Sequence, residues 1–351
     1  MKRVIVFGAT GNLGAHISLH LKEKGYDVIA VGHRKSDNGF FADYDIPYYS
    51  VDVENPIDFE QLPQSGIFAV LHFAGVLPAV MKGFDASAYI QSIIQGTLNV
   101  LEYTRHVGAD RIIFPQTLFD IHYLFGTKVP IPADSLRKVP EGDHWMYVIA
   151  KNAAVEMIEH YYHEYGIKRF VLRLSRIYLY HPNPYTFTDG KKVLVSDRYM
   201  IYRAMKGADI EMWGDSNRLL ETICINDFLQ IVEKSLSASV DGGIYNVGSG
   251  GSTLKERIEG IVDVFSPTNN KRKLLDVLIS PMEHNSFLTF KRQYTNWATN
   301  LNIVGTTIFL TSRKRCRNRD SLKFGEEKKT IFRGKKSKNY EVNSIYWLID
   351  S

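Results

Sequence analysis

Three glycines stand between an apolar run and a helical pattern, and they constrain the fold more than any other feature. Residues 2–7 (Lys-Arg-Val-Ile-Val-Phe) read as a short buried strand, followed at once by Gly8-Ala-Thr-Gly11-Asn-Leu-Gly14. Leu13, Ile17 and Leu21 then recur at helical spacing up to Lys24-Gly25, a cationic last turn closed by glycine. In a strand–turn–helix of this kind the first glycine permits the tight turn. The second lets backbone approach a pyrophosphate, and the third allows close helix–strand packing. The helix start offers free N–H groups and the positive end of its dipole to phosphate. Gly8, Thr10, Gly11, Asn12, Leu13 and Gly14 are therefore expected to bind a dinucleotide.

The rest of the chain continues the pattern. A second strand is expected at 27–31, with further apolar runs at 67–73, 111–114 and 169–174. Helical patterns at 89–105 and 147–165 alternate with them. Such alternation implies an α/β, Rossmann-type doubly wound parallel sheet over residues 1–174. Shorter, loop-rich segments at 175–279 suggest a smaller C-terminal substrate lobe with some return to the sheet.

Composition narrows the class. A length of 351 residues suggests two domains, and 44% hydrophobic with 23% charged residues excludes wholesale disorder and fibrous repeats. No apolar run reaches the ~18 residues a membrane span needs, and no long apolar stretch of a secretory leader follows Met1. Two cysteines, Cys224 and Cys316, are too few for a disulfide framework, so a cytoplasmic location is expected. The net charge of +5 divides into +7 on residues 311–351 and −2 on the remainder, so no chain-wide nucleic-acid footprint exists. His160 and His163 have no partner pattern for zinc, and no metal site is expected.

The choice of dinucleotide stays open between NAD and NADP. The second strand ends Val31-Gly32-His33-Arg34-Lys35, with glycine where a ribose-binding acid would stand. Arg34 suits a 2′-phosphate, though it would equally serve as an adenine-stacking or solvated surface charge. Asp52 could accept a hydrogen bond from the adenine amino group. Tyr147-Val-Ile-Ala-Lys151 places a phenol and an ammonium four apart on one helix face, where the cation would lower the tyrosine pKa.

With these motifs in order, the chain resembles the extended short-chain dehydrogenase/reductase family, the NAD(P)-dependent epimerase/dehydratases of nucleotide sugars. The resemblance rests on the glycine turn, Asp52, Leu71-His-Phe-Ala-Gly75, Gly96-Thr-Leu-Asn-Val100, Thr117, Tyr147 with Lys151, Arg173, Asn226-Asp227 and Tyr245-Asn-Val-Gly-Ser249. It implies that Val53, Phe73, Ala74 and Gly75 help line the cofactor cleft. It further implies that Tyr147 takes a sugar hydroxyl proton, that Thr117 bonds the same oxygen, and that Lys151 holds the nicotinamide ribose. A transient keto-sugar, re-reduced on its other face, would be epimerised. A homodimer is also implied. The chain departs from the family at Ile93, at Pro115-Gln116, and at Arg176 in place of asparagine. It departs again at Leu220, where an arginine often grips the diphosphate; Arg176 and Arg218 are the candidate substrate contacts. These departures leave a keto-sugar reductase and a non-catalytic NAD(P)-binding regulator as alternatives.

Residues 280–351 lose the family pattern and become strongly basic. A partner-binding tail or a solvated extension would fit, but a reading-frame shift fits better. Shifting the codons of Asn296-Trp297-Ala298 by two nucleotides forces Leu-Gly and permits Glu-Leu-Gly-Tyr-Lys-Pro-Gln-Tyr, similar to the family's C-terminal motif.

Overall fold

The computed structural model describes residues 1–77, 84–126, 129–139, 145–180, 183–188, 191–213, 215–266 and 274–277. The tail at 280–351, with its frame-shift reading, lies outside the described residues.

Seven parallel strands form the main sheet, in the order β3-β2-β1-β4-β5-β6-β12. They are β1 (Arg3–Phe7), β2 (Asp27–Gly32), β3 (Tyr48–Ser50), β4 (Ala69–His72), β5 (Arg111–Thr117), β6 (Lys168–Leu174) and β12 (Gly242–Val247). Val4 to Phe7 are wholly buried, as a strand covered by helices on both faces requires. Between them run α1 (Asn12–Glu23), α2 (Ala86–Tyr89) continuing through a π-helical stretch (Ile90–Gln95) into α3 (Gly96–His106), and α4 (Met146–Tyr165). One core cluster joins Ile5, Phe7, Val70, Ile112 and Phe114 of the strands to Val100, Leu101, Ala150, Ala154 and Ile158 of α3 and α4. Gly166 ends α4 in the left-handed region at φ 71°, where a side chain would be strained.

The chain runs outward from β1 to β2 and β3, then returns to β4 on the other side of β1. That reversal opens a crevice beyond the carboxyl ends of β1 and β4, the place where ligands of doubly wound sheets bind. Proline sits inside β5, but Pro115 lies past the last β4–β5 rung, Leu71 with Ile113, while pairing to β6 continues to Thr117. Its missing N–H therefore falls where no β4 partner remains.

Two compact units divide the chain. The first gathers residues 1–123, 133–175 and 226–247, which includes all seven strands of the main sheet. The second gathers the described residues of 124–132, 176–225 and 248–277. Its described elements are β7 (Arg176–Tyr178), the antiparallel pair β8 (Tyr185–Thr188) and β9 (Lys191–Leu194), α5 (Ser196–Lys206) and β10 (Ile210–Trp213). They continue with β11 (Leu219–Cys224), β13 (Gly251–Thr253), α7 (Leu254–Phe265) and β14 (Leu274–Val277). The helix α6 (Ile225–Ser237) leads back into the first unit. Thr253 and Glu256 form a capping box at the start of α7, satisfying two otherwise open N–H groups. Ala204, Ile210, Met212, Leu254, Ile258 and Ile261 make the second unit's own core.

Candidate active site

The glycine turn is formed where β1 ends. Gly8 has φ 81°, and a Cβ there would lie 2.6 Å from the Phe73 carbonyl carbon and oxygen. A Cβ on Gly14 would lie 2.1 Å from the Gly8 carbonyl oxygen. Only glycine permits this approach of three backbone segments, and the turn is sealed by main chain. Gly11 caps α1 without any side-chain hydrogen bond, leaving the first-turn N–H groups to an incoming acceptor. The residues therefore fit a pyrophosphate: an uncapped helix start behind a side-chain-free turn.

Apart from Tyr147 and Lys151 on α4, the proposed cofactor contacts lie at the carboxyl edge of the first unit's sheet. Thr10 to Gly14 follow β1, Arg34 follows β2, Asp52 and Val53 follow β3, and Phe73 to Gly75 follow β4. Phe73 is fixed by its N–H donating to the Phe7 carbonyl at 2.9 Å. One Asp52 carboxylate oxygen accepts the Glu54 N–H at 3.0 Å, and the side chain is exposed. Val53 is buried, and its carbonyl accepts from Asn99 Nδ2 at 2.8 Å.

Thr117 ends β5, while Tyr147 and Lys151 occupy the first turns of α4. Lys151 is 4% exposed, and its ammonium donates to the Pro115 carbonyl at 3.0 Å while lying 4.3 Å from the Phe114 ring centroid. This bond ties the helix carrying Tyr147 to the strand carrying Thr117. Burial pushes the Lys151 amine down to about 7. The expectation that Lys151 lowers the Tyr147 pKa is corrected here. Burial, reinforced by neighbouring Tyr89, pushes the phenol above its ordinary value. Desolvation disfavours the charged form of both groups, and no compensating charge reaches the phenolate from Lys151.

A buried polar network behind Thr117 escaped the sequence reading. Gln116 Oε1 accepts the Thr117 N–H at 2.9 Å, and Gln116 Nε2 donates to Asn152 Oδ1 at 2.8 Å and to Asp120 Oδ2 at 3.2 Å. Asp120 in turn accepts from Arg173 Nε and Nη2, both at 2.8 Å. Arg173 also donates to Asn246 Oδ1 at 2.7 Å and to the Ala133 carbonyl at 3.0 Å. Asp120, Arg173 and Asn246 are all 0% exposed, so the charged pair stands only because each partner meets several others. His72 is also wholly enclosed, sharing a 3.0 Å hydrogen bond with Thr97, and burial holds its ring neutral with a pKa of about 3.

Arg176 and Arg218, the candidate substrate contacts, belong to the second unit. Arg176 is paired with Asp197 at 3.0 Å and donates to Ser196 Oγ at 2.9 Å. Arg257, which no motif singled out, donates to both oxygens of the same Asp197 at 2.7 Å. The Arg218 Nε is enclosed and meets no acceptor. Among the described residues no cluster of His, Cys, Asp or Glu could hold a metal ion, and no helix is long and apolar enough to cross a membrane.

A parallel doubly wound sheet, a phosphate-accepting turn at its switch point, and a Thr/Tyr/Lys set on the adjoining edge define a dinucleotide-dependent α/β enzyme class. The model of the NAD dependent epimerase/dehydratase family matches residues 4–248, and the chain belongs to that family. A putative UDP-glucose 4-epimerase of Methanocaldococcus jannaschii is 24% identical over 260 residues, 74% of this chain and 81% of that protein. The crystal structure of Thermotoga maritima UDP-glucose 4-epimerase with UDP-glucose superposes with a TM-score of 0.67 at 20% identity, covering 84% of this chain and 92% of that one. The Thermus thermophilus UDP-glucose 4-epimerase complex with NAD gives a TM-score of 0.61, also at 20% identity, over 84% of this chain and 93% of that one. At these identities the superpositions establish the fold.

Proposed function

We propose that this enzyme oxidises and re-reduces one carbon of a nucleotide sugar through a transient keto-sugar, with Thr117, Tyr147 and Lys151 as its chemical set. The observation that carries the reading is the Lys151–Pro115 bond, which ties the Tyr147 helix to the Thr117 strand at the carboxyl edge. Bound NAD(P)⁺ supplies a hydride acceptor and a cationic ring. Tyr147 would accept the sugar hydroxyl proton as the phenolate, a form that burial disfavours until a cation lies beside it, while Thr117 would hydrogen-bond the same oxygen and Lys151 would hold the nicotinamide ribose. The glycine turn and the start of α1 hold the pyrophosphate. The relatives' names give UDP-sugars as the substrate class, and Arg176 with Arg218 would meet the diphosphate.

Epimerisation or keto-sugar reduction is favoured over dehydration. Dehydration needs an additional carboxyl acid beside the sugar. Leu118 and Phe119 follow Thr117, and the next residue, Asp120, is committed to Arg173. The retained Tyr147–Lys151 pair argues against a purely regulatory role. A cytoplasmic homodimer is the expected assembly, and residues 280–351 are taken as an out-of-frame replacement of the family's last elements.

The test is incubation with NAD⁺ or NADP⁺ and a panel of UDP-sugars, with sugar configuration followed by NMR. Conversion that Tyr147→Phe abolishes supports the proposal; binding of sugar nucleotides without any conversion contradicts it.

A further inference from the structure

The helix α5 carries two kinds of residue on two faces. Met200, Ile201 and Ala204 turn inward and pack with the second unit's core. Tyr199, Tyr202, Arg203 and Lys206 fall at i, i+3, i+4 and i+7, so they form one stripe along the other side. Each tyrosine of the stripe lies under the cation one turn further on. Arg203 is 5.9 Å from the Tyr199 ring centroid, and Lys206 is 4.3 Å from that of Tyr202. The pattern continues beyond the helix. Arg198 in its first turn lies 4.5 Å from the Tyr180 ring, and on the preceding hairpin Lys192 of β9 lies 4.8 Å from the Tyr185 ring of β8. The Val195 N–H donates to the Pro184 carbonyl at 2.8 Å and so joins the base of that hairpin to the start of α5.

This face is open, apolar in part and cationic. Tyr199 is 43% exposed, Tyr202 50% and Met205 59%, where an ordinary solvated helix side shows charged and polar groups. Residues 191–206 hold five cations against one acid, Asp197. That acid is buried and bound by Arg176 and Arg257, so it neutralises nothing on the stripe. Lys191, Lys192 and Lys206 are exposed and form no ion pair among the described residues.

We propose that the outward side of α5, with the adjoining hairpin, is a docking surface for an anionic phospholipid bilayer, met peripherally. Its cations would bind lipid phosphates through charge-assisted hydrogen bonds. Its tyrosine rings and Met205 would sit at headgroup level, where a ring with an apolar body and a polar tip is favoured. A single nucleic-acid strand fits less well, since it needs a groove and open ring faces for its bases. Here the surface is the convex side of a helix, and one face of each tyrosine is taken by the protein's own cation. The inference is independent of the cofactor and of the sugar.

The test is sedimentation of the full chain with vesicles of phosphatidylcholine alone and of equal parts phosphatidylcholine and phosphatidylglycerol. Because residues 311–351 are also basic, the deciding variant, Tyr199→Ser with Tyr202→Ser, changes no charge. The wild type is expected to sediment with the mixed vesicles and to stay in solution with phosphatidylcholine alone. The tyrosine variant should lower the partition onto mixed vesicles by about tenfold, with an unchanged circular-dichroism spectrum. A second variant, Met205→Gln with Lys206→Gln, should weaken it likewise and serves if the first does not fold. Equal sedimentation with both vesicle types, or none with either, overturns the inference. So does binding to mixed vesicles that these variants leave intact, which would belong to the basic tail. Tighter binding of a single-stranded oligonucleotide than of vesicles, lost in the same variants, overturns the lipid assignment in favour of nucleic acid.

Discussion

Lys151 and Arg34 in the first unit and Arg176 in the second are cations at candidate ligand positions, yet they are held differently, and Arg176 has Arg257 as a neighbour on the same acid. Among the described residues, Lys151 donates to the neutral Pro115 carbonyl, and Arg34 has a guanidinium nitrogen with no acceptor. Arg176 and Arg257 instead share Asp197. The cofactor edge thus keeps charge in reserve while its support is supplied from behind, by Asp120, Gln116 and Asn152. The second unit's arginines are partly neutralised by their own neighbour. The first arrangement is what a preorganised anion and nucleotide site needs. The second would have to exchange an internal ion pair for a substrate phosphate, and so would bind more weakly per charge.

Tyr147→Phe should have the largest effect. Loss of the proton acceptor is expected to lower turnover by about 10²- to 10⁴-fold, while 5′-AMP affinity stays unchanged. Steady-state kinetics beside calorimetry would check this. Retained turnover would remove Tyr147 from the chemistry.

Next in size is the buried network. Arg173→Met strands the fully enclosed Asp120 and should cost ~3–5 kcal/mol of folding stability. In the second unit, Arg176→Ala removes a guanidinium whose side chain is 41% exposed, and should cost no more than ~1 kcal/mol. Urea denaturation of the two variants measures the contrast directly. Gln116→Leu falls between them. It leaves Asn152 and the Thr117 N–H without their partner, a cost of ~1–3 kcal/mol, and a turnover defect should accompany it because Thr117 loses its anchor.

A slope of stability with pH is also expected. Lys151 has a folded pKa near 7, below its ordinary 10.5. Between those values the unfolded chain binds more protons than the folded one, so stability rises with pH across that window. It is lost again as pH falls toward 7. Lys151→Met should flatten this rise, measured as denaturation midpoints at pH 7 and pH 9. A midpoint that changes identically in both proteins would place the lysine in contact with water.

Local motifs were legible in the sequence; assembled ones were not. Gly8 to Gly14 could be read because strand, turn and helix are consecutive, and steric demand alone selects glycine at Gly8 and Gly14. Tyr147 and Lys151 could be paired because a helix repeats every 3.6 residues. The network of Gln116, Asp120, Asn152, Arg173 and Asn246 was not visible as a unit. Its members come from β5 and the turn after it, α4, β6 and β12, and a lone Gln or Asn carries no periodic signal. The sign of the Tyr147 shift was misjudged for the same reason. Charge separation along a helix can be read from spacing, whereas burial depends on what the remote Tyr89 places over the phenol.

Removal of a hydride from a sugar and its return by this set of residues can be followed by mixing the enzyme with NADP⁺ or NAD⁺ and UDP-sugars and reading two signals together: absorbance of reduced nicotinamide, and sugar configuration by NMR. The expected result is a configurational change or keto-sugar formation that depends on both Tyr147 and the cofactor. Tight cofactor binding with neither signal, across a panel of UDP-sugars, would contradict it.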